Sequence, residues 1–265
     1  MDLGLKGKHV VITGASAGLG AAAAEALASE GAQLIINSRD ESKLQAAASR
    51  IEKATGSRPL LAVGDVSTEA GRGAVVSVVK KHWSDSGVDV FVSNTGGPPP
   101  GLFLDIPSEQ FGESANLLVE SAVGLTRSFL PGMMERGWGR LIYITSVAVL
   151  QPVDALILSN SYRAAVTGFC KTISNTYASH GITANCVCPG YTATERLLSL
   201  AENLGKQSGK TPDEVMAGFA EQTASGRVGQ PEELAALITF LAGEKAGYIT
   251  GTSIAVDGGC YKGLL

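Results

Sequence analysis

Residues Lys8 to Gly20 read KHVVITGASAGLG, a short apolar run that passes directly into a glycine-rich turn and then into the alanine-rich stretch Ala21 to Ala28. This is the pattern of a strand, a tight loop and a helix. Such a unit suits a pyrophosphate. Gly14, Gly18 and Gly20 let the backbone turn sharply, approach a ligand closely and seat the helix on the strand, and the helix N-terminus offers free amides to an anion. Glycine-rich turns also join strands to helices without any ligand, but this one lies on the first strand, where mononucleotide-binding folds keep theirs.

Outward from that loop, apolar β-rich runs alternate with helical stretches: HVVITG, AQLIINS, PLLAVGDV, VDVFVSN, GRLIYITS, ITANCVCPG and TSIAVDGG. The pattern predicts an α/β fold of about seven strands in a doubly wound, parallel, Rossmann-type sheet with helices on both faces. The length of 265 residues, 45% hydrophobic and 17% charged, fits one domain spanning 1–265. No repeat, low-complexity tract or linker divides it.

Two loops follow carboxyl ends of predicted strands, where open α/β sheets bind ligands. One is GGPPPG, Gly96 to Gly101, stiffened by consecutive prolines. The other runs from Tyr191 to Arg227 (191–227) without a clear strand. Its paired leucines and methionine suit an apolar or acyl group, and it is expected to act as a lid over the substrate.

A formal net charge of −4 with no basic run predicts no nucleic-acid partner. No stretch reaches the ~18 apolar residues of a membrane span, and no apolar signal region precedes the first strand. Cys170, Cys186, Cys188 and Cys260 have neither zinc-ligand spacing nor scaffold density. They read as reduced thiols, with Cys186 and Cys188 in the core of a cytoplasmic protein. His9, His82 and His180 are scattered, so no metal site is expected. A small-molecule substrate is favoured.

The second strand ends Asn37-Ser38-Arg39, without the acidic residue that usually holds an unphosphorylated ribose about twenty residues past the glycines. Arg39 carries a charge suited to a 2′-phosphate, so NADP(H) is preferred over NAD(H). The alternative is that Arg39 is solvated and Asp40 merely caps the next helix.

At this point the chain resembles the short-chain dehydrogenase/reductase family over almost its whole length. TGASAGLG matches the family's TGxxxGxG loop, Asp65-Val66 its adenine-contacting pair, and SNTGG around Asn94 and Gly96 its fourth-strand segment. LPGMMERGWGRLIYITS, CPGYTATERL, GRVGQPEELAALITFLA and ITGTSIAVDGG follow in the family's order. The resemblance implies a ketone–alcohol oxidoreductase similar to 3-oxoacyl-carrier-protein reductases. It implies cofactor contacts at Gly14, Ser16, Gly18, Leu19, Gly20, Ser38, Arg39, Asp65, Val66, Asn94, Gly96, Arg163, Pro189, Gly190, Thr192 and Thr194. It also implies a homodimer or homotetramer packed through two helices, here about 116–134 and 159–179.

The catalytic positions depart from the family's pattern. Ser146 fits the serine after strand five. Thirteen residues on, where the family has tyrosine, stands Ser159, and Arg163 takes the place of the lysine, a register fixed by RAAVTGF. Leu118 falls where the family has its structural asparagine. Asn116, two residues away, is about 200° round a helix. A serine hydroxyl is a far weaker acid than a phenol, and Arg163 can hold a ribose but not relay protons. Tyr162, close to the face of Ser159, could supply the missing acid or could simply pack. Two expectations follow: an oxidoreductase with an unusual proton donor, or a degenerate dinucleotide-binding relative that serves as sensor or partner subunit. A 3-oxoacyl thioester, a steroid-like ketone or a polyketide intermediate would suit the first.

Overall fold

A computed structural model describes residues 1–84 and 87–264. Among these, seven strands form one parallel sheet: β1 (His9–Ile12), β2 (Gln33–Ser38), β3 (Leu60–Val63), β4 (Val90–Ser93), β5 (Gly139–Ile144), β6 (Ile182–Pro189) and β7 (Ser253–Val256). The order is β3-β2-β1-β4-β5-β6-β7. The chain winds outward from β1 to β3, then crosses back to β4 on the other side of β1. The two loops leaving β1 and β4 therefore diverge and open a crevice at their carboxyl ends.

The inner strands are buried on both faces, and the period of two divides their side chains. Val10, Ile12, Leu34, Ile36, Val90, Val92 and Ile142 pack with α1 (Gly18–Ser29), α2 (Glu41–Thr55) and α9 (Pro231–Ala242). Val11, Ile35, Phe91, Leu141 and Tyr143 pack on the opposite face with α3 (Glu69–Trp83), α5 (Ser121–Arg136) and α6 (Ile157–Tyr177). The alanines of α1 present small side chains, so the helix lies close to the sheet. Cys186 and Cys188 on β6 are fully buried, as expected, and all four cysteines are free thiols.

Local chemistry sets the helix ends. Asp40 accepts from the Lys43 amide at the start of α2, and Gly56 stops it in the left-handed conformation at φ 76°. The capping role weighed for Asp40 is thus realised, while the exposed Arg39 pairs only loosely with Asp65. Between α4 (Ser108–Ala115) and α5 the chain makes one wide π turn, Asn116–Glu120. The segment without strands resolves into α7 (Glu195–Ser208) and α8 (Pro212–Glu221), which pack together through Leu197, Ala201 and Phe219. Both α7 and α8 begin on threonine caps, Thr194 and Thr211. Among the described residues no helix is long and apolar enough to cross a membrane.

Candidate active site

The glycine loop is pinned before any ligand arrives. Thr13 Oγ1 donates to the Asn94 carbonyl at 2.7 Å and accepts from the Asn94 amide at 3.0 Å, while Asn94 Nδ2 donates to the Gly14 carbonyl at 3.0 Å. Gly14 and Gly18 have φ of 57° and 55°, a region that other residues avoid. A Cβ on Gly20 would run into the Gly14 carbonyl. No side chain caps α1, so its first amides stay available to an anion. Gly96 has open space where a side chain would be. This cradle fits a dinucleotide's pyrophosphate.

Its neighbours fit the rest of a dinucleotide. Ser16 Oγ donates to Ser38 Oγ at 3.0 Å, and the exposed Arg39 reaches Asp65 Oδ2 at 3.4 Å. Such an exposed pair is worth little and leaves the guanidinium free to turn. Asp65 also accepts from the Ser67 amide and hydroxyl, and these bonds with the Arg39 charge hold its carboxyl below the usual range against the opposing cost of burial. Val66 is buried in the core, and Leu19 packs against the core from the loop. At the far end of the sheet, Gly190 donates to Val256 O at 3.0 Å and lies against Asp257. Thr192 is buried with its hydroxyl turned back to the Gly190 carbonyl, so it shapes this turn. The Thr194 methyl stands 3.4 Å from the position a Gly18 Cβ would take, so the start of α7 closes over the glycine loop.

The atypical positions converge at the carboxyl end of β5. Ser146 Oγ accepts from the Ala148 amide at 3.1 Å, leaving its O–H for another acceptor. Arg163 donates from Nε to Ser159 Oγ at 3.2 Å and from Nη1 to the Ile144 carbonyl at 3.0 Å. Burial, helped by the nearby Arg196 charge, pushes the Arg163 guanidinium down to about 10. It remains a cation at neutral pH. Tyr162 is half-buried on the same helix.

A cavity of about 10 Å³, room for one water, opens beside Arg163 and is lined by Ser93, Thr95, Leu118, Tyr143 and Thr145. Leu118 is buried and faces this space from the π turn, so the register position of the missing asparagine is occupied by an apolar side chain. The Tyr143 hydroxyl shares a hydrogen bond with Thr126 at 2.9 Å, and burial drives its pKa far above the phenol range, so it offers no acid here. Among the described residues no group of His, Cys, Asp or Glu is arranged to hold a metal ion.

Two residues of this cleft escaped the sequence reading. Arg196, in the first turn of α7, donates from Nη2 to the Pro98 carbonyl at 3.2 Å. Gly97 makes room for it, since a Cβ there would strike the guanidinium. The only signal in sequence was an arginine just past the Thr194 cap, and its partner lies 98 residues away. The loop after β4 is also tied to the segment before α6, with Gly101 N donating to the Ala155 carbonyl at 2.6 Å. Ala155 adopts φ 57°, a strained value for alanine.

A doubly wound sheet with a glycine cradle at the β1–β4 switch point, and hydroxyls and a cation beyond β5, defines a dinucleotide-binding oxidoreductase class. The chain belongs to the short-chain dehydrogenase/reductase family. A family model described as "Enoyl-(Acyl carrier protein) reductase" matches residues 14–261. Dehydrogenase/reductase SDR family member 6 of Rattus norvegicus is 33% identical over 256 residues, 96% of this chain and 98% of the relative.

Within the family the chain resembles the 3-oxoacyl-[acyl-carrier-protein] reductase FabG of Escherichia coli, 31% identical over 98% of this chain and 99% of that one. Among solved structures, L-sorbose reductase from Gluconobacter frateurii, complexed with NADPH and L-sorbose, superposes with a TM-score of 0.94. It is 35% identical over the full length of both chains. An actinorhodin polyketide ketoreductase variant with NADPH gives 0.90 at 27% identity, covering 96% of this chain and 97% of that one.

Proposed function

We propose that this protein is an NADP(H)-dependent oxidoreductase that interconverts a ketone and a secondary alcohol with a serine–arginine pair in place of the tyrosine and lysine its relatives' pattern leads one to expect. The observation that carries this reading is the pinned, uncapped glycine cradle facing the Ser146, Ser159 and Arg163 group across the carboxyl ends of β1, β4 and β5. A chain under no demand for a dinucleotide has no physical reason to keep that cradle open.

NADPH, when bound, supplies the hydride. Gly14, Gly18, Gly20 and the α1 amides would hold its pyrophosphate, and Ser16, Ser38 and Arg39 its 2′-phosphate. Asp65 and Val66 would meet the adenine, with Asn94 and Gly96 under the ribose side. Pro189, Gly190, Thr192 and Thr194 would frame the nicotinamide end, and Leu19 would back the loop. The NADPH complexes of the sorbose and polyketide reductases support this preference over NAD(H).

The chain's own groups then handle the oxygen. Ser146 donates its free O–H to the substrate carbonyl and holds it in line. Arg163 donates to Ser159 Oγ, which stabilises partial negative charge on that oxygen and makes its proton easier to give to the forming alkoxide. Tyr162 or a water in the cavity beside Arg163 is the alternative donor. Residues 191–227 act as the lid, and the likeness to FabG keeps a 3-oxoacyl thioester among the substrate classes.

The protein works in the cytoplasm as a homodimer or homotetramer. The exposed positions Ala164, Ala165, Gly168 and Thr172 on α6 are small enough for close helix packing between copies. Leu118 at the register position of the asparagine favours the second reading, a dinucleotide-binding relative without turnover.

Titration of the protein with NADPH and NADH, with wild type beside Arg39→Ala, tests the reading. Tight NADPH binding that weakens in the variant, followed by NADPH consumption with a ketone panel, supports the reductase. NADPH binding without consumption leaves the sensor, and no binding of either nucleotide removes both.

A further inference from the structure

Arginines 39, 50, 58, 136 and 227 each face a carboxylate. Arg72, Arg127 and Arg140 pair with none among the described residues, and nor do Arg163 and Arg196. In the last two, the donors that find partners go to neutral oxygens only: Ile144 O and Ser159 Oγ for Arg163, and Pro98 O for Arg196. The two guanidiniums are near enough for the Arg196 charge to weigh on Arg163. Two like charges therefore share one end of the cleft with no anion between them, an arrangement that costs free energy until an anion arrives.

The placement is specific. Gly97 is the residue whose missing side chain admits the Arg196 guanidinium. Its Nη2 is steadied by Pro98, while the side chain stays open to solvent with its other N–H groups unengaged. That leaves a planar edge of the kind that pairs with a carboxylate through two parallel bonds. The anionic parts of a dinucleotide already have their places elsewhere. The pyrophosphate falls to the cradle of Gly14 to Gly20, and the 2′-phosphate to Ser38 and Arg39 at the end of β2, on the other side of β1. Arg196 stands past β4, against Pro98, on the other side of β1 from Arg39.

We infer that Arg196, backed by the charge of Arg163, binds a carboxylate of the substrate, so that the site takes short oxo acids in preference to neutral ketones. This rests on the reductase reading above and narrows its substrate class. In the forward direction the carbonyl carbon gains a hydride, its oxygen gains a proton, NADPH becomes NADP⁺ and the carboxylate is unchanged.

The test uses pyruvate, acetoacetate and levulinate, each beside its neutral methyl ester, which spans three separations of carbonyl and carboxylate. Binding to the protein, alone and saturated with NADP⁺, is read by calorimetry, because a ketone and an oxidised nicotinamide do not react. Turnover with NADPH is read as kcat/KM. At least one acid is expected to bind, and to react, tenfold or more better than its ester. Arg196→Leu removes that margin by weakening the acid alone, Arg196→Lys restores part of it, and NADPH affinity stays within twofold of wild type.

Three results overturn the inference: every ester matching its acid, Arg196→Leu weakening acid and ester alike, or Arg196→Leu weakening NADPH. If the acids bind preferentially but no NADPH is consumed or bound, the reductase reading fails while the carboxylate site stands.

Discussion

Arg163 Nε lies 3.2 Å from Ser159 Oγ, one turn earlier on α6, and its Nη1 lies 3.0 Å from the last carbonyl of β5. The guanidinium thus bridges the helix to the sheet and leans on the hydroxyl that stands in the proton donor's position. A lysine there would reach as a point charge, whereas the planar fork is fixed in two directions at once.

Removing that hydroxyl gives the first expectation. Ser159→Ala lowers kcat by about a hundredfold, the lower reach of general acid catalysis, and leaves the NADPH Kd unchanged. The double variant Ser159→Tyr with Arg163→Lys raises kcat above wild type by roughly 10²-fold. Steady-state kinetics beside nucleotide titration checks both.

The pH dependence follows from the same arginine. Its folded-state pKa is lowered from the ordinary guanidinium range to about 10, chiefly by burial. The folded protein holds this proton less firmly than the unfolded chain, so the charge costs stability at neutral pH. That cost is relieved as pH rises from about 10 toward the guanidinium's ordinary pKa. Activity moves the other way, because the neutral group no longer polarises Ser159. kcat/KM is expected to fall above a pH near 10, and the Ser159→Ala variant to lose that limb of the profile.

The proposed preference for NADP(H) rests on Arg39. It is exposed and only loosely paired with Asp65 at 3.4 Å, so it can turn to a phosphate at little cost. A charge-assisted pair is worth about 1.5–3 kcal/mol, so Arg39→Ala weakens NADPH roughly ten- to a hundredfold while NADH is unchanged. Parallel fluorescence titrations read the difference.

Gly20→Ala forces a methyl group against the Gly14 carbonyl and the Asn94 amide. Overpacking of this kind costs about 1–3 kcal/mol. The expected result is a Tm several degrees lower, with loss of NADPH binding beyond what the destabilisation explains. Thermal denaturation with and without nucleotide separates the two.

Ala164→Glu on the exposed face of α6 places a charge among small side chains without touching the cleft. Sedimentation should show a shift from dimer or tetramer toward monomer.

Much of this molecule was legible in its sequence, for identifiable reasons. The seven strands stood out because a parallel sheet covered on both faces demands continuous apolar runs, and β1 to β7 are those runs. The glycine cradle was legible because backbone geometry, not neighbours, dictates glycine at 14 and 18. The departures at 159 and 163 were legible because a helix fixes spacing. The π turn at Asn116–Glu120 and the division of residues 191–227 into α7 and α8 were not, since both depend on what the segments pack against.

The chain by itself therefore determined the fold, the glycine cradle and the identity of the residues at positions 146, 159 and 163, because each is a matter of local conformation and spacing. Tertiary structure alone decided what those residues touch. It set Arg163 against the Ile144 carbonyl, sealed Leu118 into the cavity beside it and brought Arg196 onto Pro98 from 98 residues away. The charge state and partners of a side chain are set by burial and by groups remote in sequence, and no spacing along the chain encodes them.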